Sequence, residues 1–186
     1  MVWLLALAGV LGLPASGAAL QGEQLWALLR EGGQVILIRH TLTTPGVGDP
    51  PGMRLEDCAT QRNLSEEGRR AARGIGDTFR RQSIPVARVL SSPWCRCLET
   101  ARLAFGTAEA WPPLSNLFGR PENRVPQVRE LEGLVGRRLS AANLVLVSHG
   151  STIAALTGVS PAPGELVVLT PQGGRRFTVI GRLTVD

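Results

Sequence analysis

Gln34-Val-Ile-Leu-Ile-Arg-His40 (QVILIRH) is the stretch on which the reading of this chain turns. Four consecutive apolar residues, three of them β-branched, follow Gly32–Gly33 and precede a Thr/Pro/Gly-rich segment, the pattern of a buried strand. A strand buried on both faces belongs to a parallel-type sheet, whose ligand chemistry collects where the strands end at their carboxyl side. That end carries Arg39 and His40, a fixed anion receptor beside a nucleophile or base.

The rest of the composition narrows the chemistry. The chain has 186 residues, 44% hydrophobic and 19% charged, enough for one globular domain with a substantial core. All 20 basic residues are arginine, and lysine and tyrosine are absent. A Walker-type phosphate loop, a Schiff-base lysine and a tyrosine acid are therefore excluded. The formal charge of +5 comes from scattered arginines, with only four Trp and four Phe. A small anionic substrate fits this better than nucleic acid, whose binders concentrate charge and exposed aromatics.

Residues 1–19 read as a secretory signal peptide: an apolar stretch, Val2–Leu13, then Pro14 and the small residues Ala15–Ala19. Cleavage after Ala18 or Ala19 leaves a mature domain over 20–186. The stretch is interrupted too early for a membrane anchor, which needs roughly 20 apolar residues. The expected location is periplasmic or secreted, with no stable membrane anchor after cleavage. In an oxidising compartment, Cys58 is expected to bridge to Cys95 or Cys97. Those two lie about 100° to either side of Arg96 on a helix, so only one meets the loop that carries Cys58. The closed loop spans roughly 40 residues, worth on the order of 4 kcal/mol in the chain-entropy model. The spacing of Cys and His matches no structural zinc site.

Along the chain, Leu20–Arg30 has helical spacing. Thr41–Asn63 is a long irregular segment expected to form an ordered rim over a pocket. Ser65 caps a helix with Glu66 and Glu67 in its first turn. Val86–Leu90 is a second strand. Ser91-Ser92-Pro93 reads as a cap with proline at the first helical position, and Trp94, Leu98, Ala101 and Phe105 form the buried stripe of the following helix. Arg96 lies opposite that stripe, pointing away from the core towards the end of the first strand. A short strand is expected near Leu114 and a helix over Val125–Ser140. Asn143–Ser148 is a third buried strand, delivering His149, and a helix continues over Thr152–Leu156. Glu165–Thr170 and Phe177–Val185 form a hairpin. The β–α alternation argues for parallel strands under helices.

Both histidines of the chain thus come directly after Val/Leu/Ile-rich strands, and Arg96 comes after a third. Two imidazoles and two guanidiniums around one point suit phosphoryl transfer: one histidine attacks phosphorus while the others hold the equatorial oxygens. The cations also disfavour imidazolium at His40, which keeps a nitrogen lone pair available.

At this point the sequence resembles the histidine phosphatase superfamily, the phosphoglycerate-mutase-like clan. Arg39-His40-Thr41-Leu42-Thr43 is similar to its opening R-H-G/x-x-T pattern, and Leu64-Ser65-Glu66-Glu67-Gly68 to its L-[ST]-x-x-G helix start. Ser92 to Ala101 (SPWCRCLETA) resembles S-x-x-x-R-x-x-x-T-A, and Ser148-His149-Gly150 its second histidine motif. The resemblance implies a three-layer αβα sandwich with a mostly parallel central sheet. It implies His40 as the residue that becomes phosphohistidine, with Arg39, Arg96, His149 and Thr43 around the phosphate, and no metal or other cofactor.

The chain also departs from the family pattern. Thr41 stands where many members have Gly, which is expected to alter the pocket wall. No segment matches the acidic proton-donor motif; Glu122, Glu130 and Glu132 fall in the right region and the donor stays unassigned. The expectation is a metal-independent phosphatase acting on a small anionic phosphate monoester. The alternative is a catalytically weak periplasmic phosphate-ester or sugar-phosphate binding protein of the same fold.

Overall fold

A computed structural model describes Leu20 and residues 22–185; the signal-peptide reading of residues 1–19 falls outside the described residues. The elements run α1 (Glu23–Glu31), β1 (Val35–Arg39), α2 (Glu66–Arg81), β2 (Val86–Ser91), α3 (Cys95–Phe105), β3 (Glu109–Ala110), α4 (Arg124–Val135), β4 (Asn143–Ser148), α5 (Gly150–Thr157), β5 (Leu166–Gly173) and β6 (Arg176–Leu183). The six strands form one sheet in the order β3-β2-β4-β1-β5-β6. Strands β3, β2, β4 and β1 are parallel, and β5 and β6 close the sheet as an antiparallel hairpin.

The apolar run of β1 is continuous because both faces are covered. Ile36 and Ile38 pack with Val145 and Val147 of β4 under α1, α2 and α3, through Leu25, Leu29, Ile75, Phe79 and Ala101. Val35 and Leu37 point the other way, with Leu144 and Leu146, onto Leu131, Val135, Ile153 and Leu156 of α4 and α5. This is the expected three-layer sandwich. Each such side chain contributes roughly 1.5–3 kcal/mol by leaving water.

Register fixes where the chemistry emerges. Arg39 pairs with Ser148 across β1 and β4, the His40 N–H donates to the Ser148 carbonyl, and the Ser92 N–H donates to the Val147 carbonyl. Three parallel strands therefore end level, and Arg39–His40, Ser148–His149 and Ser91–Ser92 leave the sheet together.

Two glycines of the sequence motifs are steric. A Cβ on Gly68 would collide with the Leu42 carbonyl, where α2 crosses the chain leaving β1. A Cβ on Gly150 would sit 3.3 Å from Arg39 Nε. The helix start that precedes Gly68 is as expected, with Ser65 Oγ accepting from the Gly68 N–H at 3.0 Å.

Some boundaries differ from the sequence reading. Helix α3 starts at Cys95, beyond Pro93, because Trp94 is extended. The strand near Leu114 is a two-residue edge strand at Glu109–Ala110, and Leu114 itself closes a 3-10 turn. Helix α4 stops at Val135, where Gly136 packs so tightly against the β5–β6 turn that a Cβ would strike Gly174 and Arg175.

Candidate active site

The level strand ends open into a cavity of about 490 Å³. Arg39, His40, Arg96, His149 and Arg62 form its cationic part; Gly46, Val47, Gly48, Asn116, Phe118, Ser151, Ser160 and Pro161 complete most of its wall.

His40 is 5% exposed. Its Nδ1 lies 2.9 Å from the Thr41 carbonyl, so the ring hydrogen sits on Nδ1 and the Nε2 lone pair is uncommitted among the described residues. The His149 ring is edge-on to it, with centroids 5.4 Å apart. His149 Nε2 is 2.8 Å from Ser92 Oγ, and its Nδ1 is 3.4 Å from Arg96 Nη2. Burial pushes the His40 pKa down to about 3; the Thr41 carbonyl opposes this, and the surrounding guanidiniums add to it. Burial, then His40 and Arg96, also hold His149 well below its ordinary value. Both rings are neutral at physiological pH.

These shifts fix a sign for stability. The unfolded histidines protonate near pH 6.5 while the folded ones do not, so the unfolded state binds more protons below that pH. The stabilisation is fully present above about pH 6.5 and drains as pH falls towards about 3. Each ring adds a slope of up to roughly 1.4 kcal/mol per pH unit. The urea midpoint is therefore expected to fall steadily from pH 6.5 to pH 4.5, and a flat profile over that range would contradict the neutral pair.

Arg39 donates from Nη1 to the Pro161 carbonyl at 2.9 Å, and its buried Nε has no partner among the described residues. Arg96 is 1% exposed. Its Nη1 and Nη2 bind Asp49 Oδ1 and Oδ2 at 2.6 and 3.1 Å, leaving its buried Nε unpartnered among the described residues. Asp49 also accepts from Trp94 Nε1 at 3.1 Å and from the Arg62 N–H at 3.2 Å. Burial works to raise the Asp49 pKa, but the hydrogen bonds and charge of Arg96 prevail and hold it below the ordinary range.

The long segment after β1 is the ordered rim. Cys58 is bridged to Cys95 with a Cα–Cα distance of 5.7 Å and a separation of 37 residues. Gln61 Oε1 accepts from the Cys95 N–H at 3.0 Å, so the rim is stapled at the first residue of α3, one before Arg96. Cys97 faces the other flank, buried and free, with Sγ 3.5 Å from His149 Nε2. Burial pushes its pKa up to about 12, so it stays a thiol.

The structure brings Arg39, His40, Arg96 and His149 together as the sequence indicated. Thr43 is absent from the cavity wall and is held in a backbone bridge with Leu64. Thr41 does not alter that wall either: it is fully buried, its hydroxyl 3.3 Å from Thr100 Oγ1. Glu122, Glu130 and Glu132 do not line the cavity; Glu130 and Glu132 face separate depressions along α4. No carboxylate does so among the described residues. Nor do the described residues hold a cluster of three or more His, Cys, Asp or Glu side chains placed for a metal. Sequence reasoning missed Asp49 and Arg62, which sit in an irregular loop with no periodicity; the one signal was the place of Arg62 two residues before the L-[ST]-x-x-G motif.

Comparison with solved structures returns the same architecture. The protein histidine phosphatase SixA complexed with tungstate is 19% identical, with a TM-score of 0.57 over 81% of this chain and 96% of that one. Phosphoserine phosphatase of Entamoeba histolytica, in complex with 3-phosphoglyceric acid, is 13% identical, with a TM-score of 0.60 over 82% and 98%. A mycobacterial glucosyl-3-phosphoglycerate phosphatase is 20% identical, with a TM-score of 0.50 over 83% and 97%. At these identities the likeness speaks for the fold. No curated protein matches the chain in sequence. The family model for the histidine phosphatase superfamily (branch 1) matches residues 35–130, from the first residue of β1 into α4, and the chain belongs to that superfamily.

Proposed function

We propose that this chain is a metal-independent phosphatase that transfers the phosphoryl group of a small anionic ester to His40 Nε2 and then to water. The observation that carries this reading is the His40 ring itself: neutral, with Nδ1–H fixed on the Thr41 carbonyl and Nε2 uncommitted at the floor of a cationic cavity. An imidazole in that state is a ready nucleophile. The unpartnered Nε of Arg39 and of Arg96 supply donors for the phosphoryl oxygens. Arg96 Nη2 donates to His149 Nδ1 at 3.4 Å, so the hydrogen of the neutral His149 ring sits on Nε2 and is donated to Ser92 Oγ at 2.8 Å, which fixes that ring beside His40. Charge redistributing over the equatorial oxygens thus meets donors already in position.

An aryl phosphate, whose leaving group departs with little protonation, tests this directly. Turnover that survives excess chelator is the expected outcome. Phosphate binding with no turnover would favour the binding-protein alternative.

Export is part of the same proposal. It is supported by the apolar and small-residue character of 1–19 and by the Cys58–Cys95 bridge. Intact mass of protein from the periplasmic fraction of a Gram-negative host is expected to fit a chain beginning near Leu20 with one disulfide and one free thiol, that of Cys97. Full-length protein with three thiols would refute both points.

A further inference from the structure

We propose that the preferred substrates of this site are diphosphates: His40 takes the terminal phosphoryl group, and the leaving group is itself a phosphate held by Arg62. This rests on the phosphohistidine reading of His40 and concerns what departs from it.

The first observation is the missing acid. Among the described residues no Asp or Glu lines the cavity, and the nearest carboxylate to the cationic cluster, Asp49, has both oxygens on Arg96. It is also held ionised, so it has no proton to give. An alkoxide leaving group needs general acid catalysis, typically worth about 10²–10⁴-fold. A phosphate departs as an anion and needs none.

The second observation is a surplus cation. Arg39, Arg96 and His149 suffice for one phosphoryl group. Arg62 lines the same cavity with no salt bridge to a carboxylate among the described residues; its Nη1 is tied to the Gly46 carbonyl and its buried Nε has no partner there. It stands on the rim segment beside the cluster, its carbonyl accepting from Arg96 Nη1 at 3.4 Å. Asn116 lines the same cavity. Its Oδ1 accepts from Ser151 Oγ at 2.8 Å and from the Phe118 N–H at 3.0 Å, leaving the Nδ2 hydrogens uncommitted. A guanidinium and an amide there form a second anion subsite, with Phe118 and Val47 at the rim beside the organic part.

The reaction balances without an acid. The Nε2 lone pair forms the N–P bond as the bond from phosphorus to the bridging oxygen breaks. Its electron pair stays on that oxygen, now part of the departing phosphate facing Arg62. Water then attacks the phosphohistidine phosphorus, the N–P pair returns to Nε2, and the water proton passes through the product phosphate to solvent.

The test compares kcat/KM of the full chain on methyl phosphate, methyl diphosphate, p-nitrophenyl phosphate and phosphoimidazole, with wild type and Arg62→Gln. Methyl diphosphate is expected to exceed methyl phosphate by at least about 10²-fold. Arg62→Gln is expected to lower the ratio of methyl diphosphate to p-nitrophenyl phosphate about tenfold. The wild-type comparison stands even if the variant fails to fold. Turnover of p-nitrophenyl phosphate with methyl diphosphate no better than methyl phosphate would overturn the diphosphate subsite and leave the His40 reading intact. Phosphoimidazole hydrolysed as fast as methyl diphosphate, with Arg62→Gln lowering both alike, would overturn it too, since only leaving-group quality would then be read. No turnover of any of the four would bring down the His40 reading and this inference together.

Discussion

His40→Ala is expected to lower kcat on p-nitrophenyl phosphate by a factor on the order of 10⁴ or more while leaving inorganic phosphate binding within a fewfold. Two jobs are separate in this site. On the proposed reading phosphate is held by Arg39, Arg96 and His149, none of which depends on the His40 ring for its position: Arg39 is fixed by Pro161, Arg96 by Asp49 and His149 by Ser92. The covalent step has no substitute. Cys97 is the one free thiol among the described residues and is kept protonated by burial. Acid-quenched wild-type enzyme should yield an acid-labile, base-stable phosphoenzyme that the variant lacks. A variant retaining a tenth of wild-type kcat would show that water attacks directly and that His40 only orients it.

Much of this site was legible in the sequence because its main parts sit at the ends of regular elements. The runs Val35–Ile38 and Asn143–Val147 announce buried strands by composition alone, and the polar residues at the end of each are displayed at the sheet edge whatever the details of packing. Arg96 was legible from its place in the first turn after β2, although the expected Trp94–Leu98–Ala101–Phe105 stripe is only partly the buried face: Trp94 precedes α3, Leu98 and Phe105 are half-buried, and Cys97, Thr100, Ala101 and Ala104 are buried. The environment of Arg96 was not legible. A residue opposite a buried stripe normally meets solvent, yet Arg96 is covered by the 41–63 segment through Asp49, 47 positions away. Such a pairing leaves no periodic trace in the chain. The same segment hid Arg62, and its Pro and Gly content reads as irregular backbone without saying what it covers. The cysteines illustrate the boundary well. Helical geometry separates Cys95 from Cys97, but only the packed fold shows that Cys95 faces the rim at Cys58 while Cys97 faces Ser148 and His149.

Arg96→Met is expected to destabilise the protein by about 3–5 kcal/mol, because it strands the Asp49 carboxylate in a nearly buried place. The side chains of Arg96 and Asp49 are 1% and 10% exposed. Their pairing is two-pronged, so little of it is screened by water, unlike the exposed pairs such as Arg80–Asp77. The Trp94 Nε1–H and the Arg62 N–H still reach Asp49 in the variant, but neither neutralises it. For a domain of this size the melting temperature should drop by on the order of 10 °C. Activity should fall as well, by on the order of 10²–10³, since the site loses a donor fixed on the phosphoryl oxygens. These two effects come apart in the double variant Arg96→Met/Asp49→Asn. With no charge left behind, most of the stability is expected to return. The activity is not, because nothing replaces the guanidinium. Thermal melts and p-nitrophenyl phosphate kinetics on the wild type, both single variants and the double variant complete the cycle. Recovery of activity alongside stability would mean that Arg96 serves only to hold the rim, and that Arg39 and His149 suffice to bind the phosphoryl group.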